Sequence, residues 1–96
     1  MSIYLITYDL MSPGKDYNKL FDAIKKLGSW FHCLDSTWIV DTNHGGVWIR
    51  DYLKQYIDWN DKLLVTALLG ETAWHNLGNE GRSWLKSKLD RGAGVL

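Results

Sequence analysis

The stretch SWFHCLDSTWIVDT, residues 29–42, decides the fold. It is dense in aromatic and β-branched residues, which suit a pleated, half-buried strand. Only Asp35 and Ser36 interrupt it, and both residue types favour turns. Two short strands joined by a tight turn at Asp35–Ser36 satisfy this pattern, and so does one long bent strand. The hairpin reading supplies two adjacent strands in the middle of the chain, and the flanking segments are read around it.

Upstream, residues 3–9 mix Ile, Leu, Tyr and Thr without a helical period, which predicts a buried strand ending at Asp9. Asp16 is then placed to cap a helix whose inner face carries Tyr17, Leu20, Ile24 and Leu27, with Gly28 at the C-cap position. Downstream, Thr42 or Asn43 can cap a second helix with Ile49, Leu53, Tyr56 and Ile57 as its inner stripe, although Gly45 and Gly46 weaken its first turn. Asn60–Asp61 marks a turn, KLLVTALL (62–69) reads as a further strand, and the tail holds a short helix near Glu80–Leu89. No repeat, linker or low-complexity tract divides the chain.

The order is strand, helix, strand, strand, helix, strand, an α+β pattern of the ferredoxin-like split βαβ type. It predicts one domain over residues 1–96: a core at about 3–69 with a four-stranded antiparallel sheet and two helices on one face, then an extension over 70–96. The first and third strands are expected side by side in the centre, running parallel. The strands are apolar on both sides, Ile3 and Leu5 against Tyr4, Ile6 and Tyr8 in the first, so the helix-free sheet face needs cover. A second subunit in an isologous homodimer, or the Trp-containing tail, supplies it. The RGAGVL end either frays or adds a strand to a partner's sheet edge.

Ninety-six residues with zero net charge carry no long-range field to draw in nucleic acid, so any such role needs a local patch. The six Trp and five Tyr fit either a second interface or an aromatic core. The single cysteine, Cys33, excludes an internal disulfide, and the sequence shows no apolar run long enough for a bilayer and no basic leader. A soluble, cytoplasmic protein without a membrane partner is the expectation. His32 and Cys33 are neighbours on a strand and should point to opposite faces, which disfavours a shared metal.

With parallel central strands, Asp9 and Asp41 fall at one sheet edge, on strands about 4.8 Å apart, within reach of one hydrated cation. Oxygen ligands with open positions suit Mg²⁺, with Mn²⁺ as a substitute. Such a site supports metal-assisted attack on a phosphodiester. Ser12, Lys15 and Lys19 lie where phosphate could be held, and Arg82, Lys86, Lys88 and Arg91 make a basic run beside Trp84. The bland alternatives stand beside these: an Asx-turn for Asp9, a helix cap for Asp41, a solvated helix face for the tail cations.

YLITYDL ending in Asp9, the helix that follows, Gly28 and the DSTWIV segment together resemble the small CRISPR-associated endoribonucleases and adaptors, second in the numbering of the Cas proteins, and the related virulence-associated protein D toxins. Within that superfamily the chain resembles an orphan, stand-alone branch, over residues 3 to 69 as an order of elements. The resemblance implies a ferredoxin-like homodimer with facing sheets, in which Asp9 from both subunits holds a divalent metal that cuts RNA or double-stranded DNA. It also matches Ser36 to the serine opening the family's Ser-hydrophobic-Phe segment. Where the family commonly carries an arginine or basic cluster after the aspartate, LMSPGKDYNK offers Lys15 and Lys19. The expectation is a dimeric Mg²⁺-dependent endoribonuclease; a non-catalytic adaptor that organises a nucleic acid or protein, or a structural dimer, is the alternative.

Overall fold

The protein, seen in a computed structural model, is described for residues 2–12 and 14–89; the expectations placed on Arg91 and the RGAGVL end lie outside these residues. The chain forms β1 (Ser2–Asp9), α1 (Asn18–Lys25), β2 (Ser29–Leu34), β3 (Thr37–Thr42), α2 (Gly46–Leu53), β4 (Lys62–Ala67) and α3 (Gly78–Leu89). A 3-10 turn, Lys54–Tyr56, follows α2. The class is α+β, with a four-stranded antiparallel sheet in the order β2-β3-β1-β4. Residues 29–42 are the expected hairpin, turning at Asp35–Ser36.

One expectation about this sheet is wrong. β1 and β3 are adjacent but antiparallel, with Ile3 opposite Asp41 and Thr7 opposite Thr37. The reason is in the hairpin. The tight turn reverses β3 against β2, and a helical crossover brings β2 back in the direction of β1. The strand between them must therefore oppose both.

Alternation along β1 sends Tyr4, Ile6 and Tyr8 to one face and Ile3, Leu5 and Thr7 to the other. On the first face Ile6, Tyr8, Trp38 and Val40 pack with Leu20, Ala23 and Ile24 of α1, with Leu27, and with Ile49 and Leu53 of α2. Each aliphatic side chain buried here stabilises the fold by about 1.5–3 kcal/mol relative to exposure. Trp38 is the largest, and its indole N–H donates to the Tyr8 hydroxyl at 3.0 Å, so burial leaves neither polar group stranded. Burial pushes the Tyr8 phenol up, and the Trp38 bond pulls it back in part. His32 stacks on the same indole, with centroids 3.9 Å apart.

The opposite face is not helix-free. Leu85 and Leu89 of α3 are buried against Ile3 and Ile39, with Phe31, Cys33, Leu68, Trp74, Leu77 and Trp84 around them. α3 can lie this close because residue 81 is glycine: a Cβ there would run into the Phe31 ring. Cys33 therefore faces α3 while His32 faces Trp38, the opposed arrangement that strand alternation predicts. Burial raises the Cys33 thiol's pKa. The tail thus covers the β2-β3 side of this face, and Leu5, Thr7, Leu64 and Thr66 remain as a partly exposed strip along β1 and β4.

The helix ends differ from the expected caps. α1 starts at Asn18, and Asp16 accepts the Asn18 N–H at 2.8 Å from the turn before it. Gly28 is fixed by a close approach, since a Cβ there would strike the carbonyl oxygen of Asp41. α2 starts at Gly46 with Gly45 as N-cap, while Thr42 bonds the His44 N–H at 3.2 Å. The last strand stops at Ala67, two residues short of the predicted end. Among the described residues no helix is long and apolar enough to cross a membrane.

Candidate functional site at the Asp9 end of the sheet

Asp9 ends β1, paired with Lys62 of β4. It is exposed, and its carboxylate has no hydrogen bond or ion pair among the described residues. On the other side of β1 lies the hairpin turn: the Ser36 carbonyl accepts the Tyr8 N–H and the Thr7 hydroxyl, each at 3.1 Å. Ser36 and Asp9, the two residues matched by the resemblance, therefore sit at the same end of the sheet. A shallow depression beside Asp9 is lined by Thr7, Tyr8, Lys62, Leu63 and Leu64.

Asp41 is elsewhere. Because β3 runs against β1, Asp41 faces Ile3, six residues from Asp9 and roughly 20 Å away along the strand. The pairing of Asp9 and Asp41 on one cation within a chain is thereby excluded. Asp41 is only 3 % exposed. One oxygen, Oδ2, meets the Lys88 ammonium at 3.3 Å, and Oδ1 has no hydrogen-bond partner among the described residues. Its role is to tie α3 to the sheet.

The loops around Asp9 are held by two carboxylates that sequence reasoning did not single out. Asp61 accepts the N–H of Met11 at 2.7 Å, the N–H of Asp58 at 2.8 Å and the Tyr17 hydroxyl at 3.1 Å. Burial alone would raise its pKa, but these donors, with Lys15 nearby, outweigh that and hold it below the ordinary 3.8. Asp58 accepts the Ser12 hydroxyl at 3.1 Å and the Lys15 ammonium at 2.6 Å. The hydrogen bond to Asp58, then its charge, raises the Lys15 pKa. The segments after β1 and before β4 are thus clasped together beneath Asp9. The only sequence signal was the pair of aspartates bracketing Trp59-Asn60, a turn-forming spacing.

Ser12 and Lys15, expected to hold phosphate, are therefore engaged by Asp58, while Lys19 is exposed on α1. The tail cations divide. Arg82 and Lys86 are exposed, whereas Lys88 turns inward to Asp41 and lies 6.0 Å from the Trp84 ring centroid. Of the tryptophans, Trp38 builds the core, Trp74 and Trp84 are half-buried, and Trp30, Trp48 and Trp59 are exposed. No three His, Cys, Asp or Glu side chains converge as a metal-binding group among the described residues.

What this end of the sheet offers chemically is one free carboxylate on an open strip, a lysine across the strand from it, and adjoining loops tied together by Asp58 and Asp61. No known family matches the chain when it is compared with family models, and no solved structure matches it.

Proposed function

We propose that the chain is a small dimeric, metal-dependent nuclease acting on RNA or duplex DNA, with Asp9 as its metal-holding carboxylate. The observation that supports this most is the placement of Asp9: exposed, unengaged, and on the odd-numbered side of β1 that faces the open strip. The strand order and the two helical crossovers also favour the ferredoxin-like reading, and with it the resemblance to the CRISPR-associated endoribonucleases.

One carboxylate is half a site. A second copy packed through Leu5, Thr7 and Leu64 would add its own Asp9, and two carboxylates with open positions fit Mg²⁺ or Mn²⁺. The bound ion would supply a water-derived nucleophile and a counter-charge for phosphate oxygens. Asp9 holds and orients; Lys62, its cross-strand partner, is a cation placed to draw a phosphate in. A non-catalytic adaptor is the second reading, favoured by the engagement of Ser12 and Lys15 with Asp58, which leaves Arg82 and Lys86 as outward cations for a nucleic-acid backbone.

The deciding experiment compares cleavage of RNA and duplex DNA by the wild type and Asp9→Asn, each with Mg²⁺, Mn²⁺ or chelator. Metal-dependent cleavage lost in Asp9→Asn is expected. Equal activity in both proteins, or none under any condition, refutes the nuclease; salt-sensitive binding without cleavage then selects the adaptor.

A further inference from the structure

Among the described residues no strand pairs with the outer edge of β4. β4 is the last strand in the sheet, and its hydrogen-bond phase is fixed from both sides of β1: the Leu68 N–H donates to the Ile3 carbonyl at 2.8 Å, and the Tyr8 N–H to the Ser36 carbonyl at 3.1 Å. In an antiparallel ladder the bonding side alternates residue by residue. Lys62, Leu64 and Thr66 thus direct their amides at β1, and Leu63, Val65 and Ala67 direct theirs outward. Among the described residues the usual protections are missing from this edge. β4 has no proline and no bulge in its pairing, and Lys62 is its single charge. Beside it a groove opens towards α2, where Val47 is 66 % exposed and Arg50 forms the wall.

We propose that a second copy of this chain pairs antiparallel along this edge, joining the two sheets through β4. The edge is self-complementary. A two-fold axis at Leu64 sets Leu63 opposite the mate's Val65, so that outward amides and carbonyls meet in both directions. It also places Leu64, 57 % exposed, against its own mate. The two most exposed large apolar side chains among the described residues are Trp59 at 96 % and Leu69 at 84 %. They lie beyond opposite ends of β4, each five residues from Leu64. The same axis brings the end of β4 that carries Trp59 in each copy beside the end that carries Leu69 in the other. An unrelated extended peptide would satisfy the backbone but gives no reason for that symmetric spacing. The contact stands apart from the facing-sheet pairing proposed above, because it leaves the two Asp9 carboxylates at opposite ends of the joined strands.

Sedimentation of the full chain at tens of micromolar tests it. Ala67→Pro removes an outward N–H and leaves the β1 ladder intact; Trp59→Ser/Leu69→Ser alters only exposed side chains. Thr7→Arg on the open strip serves as a control for facing-sheet pairing. The wild type is expected to sediment as a dimer or larger. Each edge variant should halve that mass or weaken self-association at least tenfold. Loss in either edge variant supports the proposal, whatever Thr7→Arg does. A monomeric wild type, or full mass retained by both edge variants, overturns it; retained mass in the edge variants leaves the facing-sheet site at Asp9 untouched, whereas a monomeric wild type removes that pairing as well.

Discussion

The two faces of the sheet are built on different principles. One carries a continuous apolar cluster from β1, β3, α1 and α2, with Ile6, Leu20, Ile24, Val40, Ile49 and Leu53 fully buried, and its polar atoms satisfy one another, Trp38 to Tyr8. The other buries four residues, Ile3, Ile39, Leu85 and Leu89, and is tied by a largely buried ion pair and a Trp84–Ser29 hydrogen bond of 3.0 Å. The first face makes the fold. The second holds α3 as an appendage, and a helix so held can open locally without unfolding the rest.

Matched truncations should test this asymmetry. Leu53 and Leu85 are equally buried, at 0 % and 1 % exposure. Leu53→Ala is expected to cost about 4 kcal/mol and to lower the urea midpoint of the whole chain, because the packed core cannot collapse around the cavity. Leu85→Ala should cost about 2–3 kcal/mol, since α3 can shift to fill the space. Hydrogen exchange separates them: Leu53→Ala speeds exchange in all four strands, Leu85→Ala chiefly in α3. Equal spread in both variants would show that the two faces form one cooperative unit.

This asymmetry explains which parts of the structure were legible in the sequence. The first face was, because its apolar residues recur at strand and helix periods: Ile6 and Tyr8 alternate, and Leu20, Ile24 and Leu27 share a helix stripe. The hairpin and the tail helix followed from local signals. The direction of β3 was misassigned because residue periodicity does not encode strand polarity; only the hairpin constraint does, and applying it separates Asp41 from Asp9. The second face was less legible because its partners are remote. Lys88 looked like one of a solvated basic run, yet its carboxylate lies in β3. Asp58 and Asp61 likewise act on Ser12, Lys15 and Met11, a distance in sequence that no short motif spans.

The ion pair offers a finer cut. Lys88→Ala leaves Asp41 as a buried carboxylate without its cation, but Lys88 keeps 28 % of its side chain exposed, so solvent moderates the cost to about 1–2 kcal/mol. Adding Asp41→Asn should recover part of that loss, because the uncompensated charge disappears. If the double variant is no more stable than Lys88→Ala alone, the pair is not what secures α3. The readout is urea denaturation of the four proteins in a double-mutant cycle.

The smallest effect is expected at the rim of the first face, where Tyr17 leaves the core and donates to Asp61. Asp61 titrates below the ordinary carboxylate value of 3.8 when folded. A depressed folded pKa means that the contribution is complete above the unfolded value and lost as pH falls through it towards the folded one. Acidification from pH 5 to about pH 3 should therefore loosen the loops after β1 and before β4, where the Met11 and Asp58 N–H groups and the Tyr17 hydroxyl meet Asp61. Asp61→Asn keeps the shape but removes the charge that favours three donors at once. It should cost about 1 kcal/mol or less, given the partial solvent exposure, and flatten that part of the stability profile. Measuring stability against pH for both proteins decides it: parallel profiles between pH 5 and pH 3 would mean that the clasp is neutral to the charge of Asp61 and that the loops beneath Asp9 are fixed by packing alone.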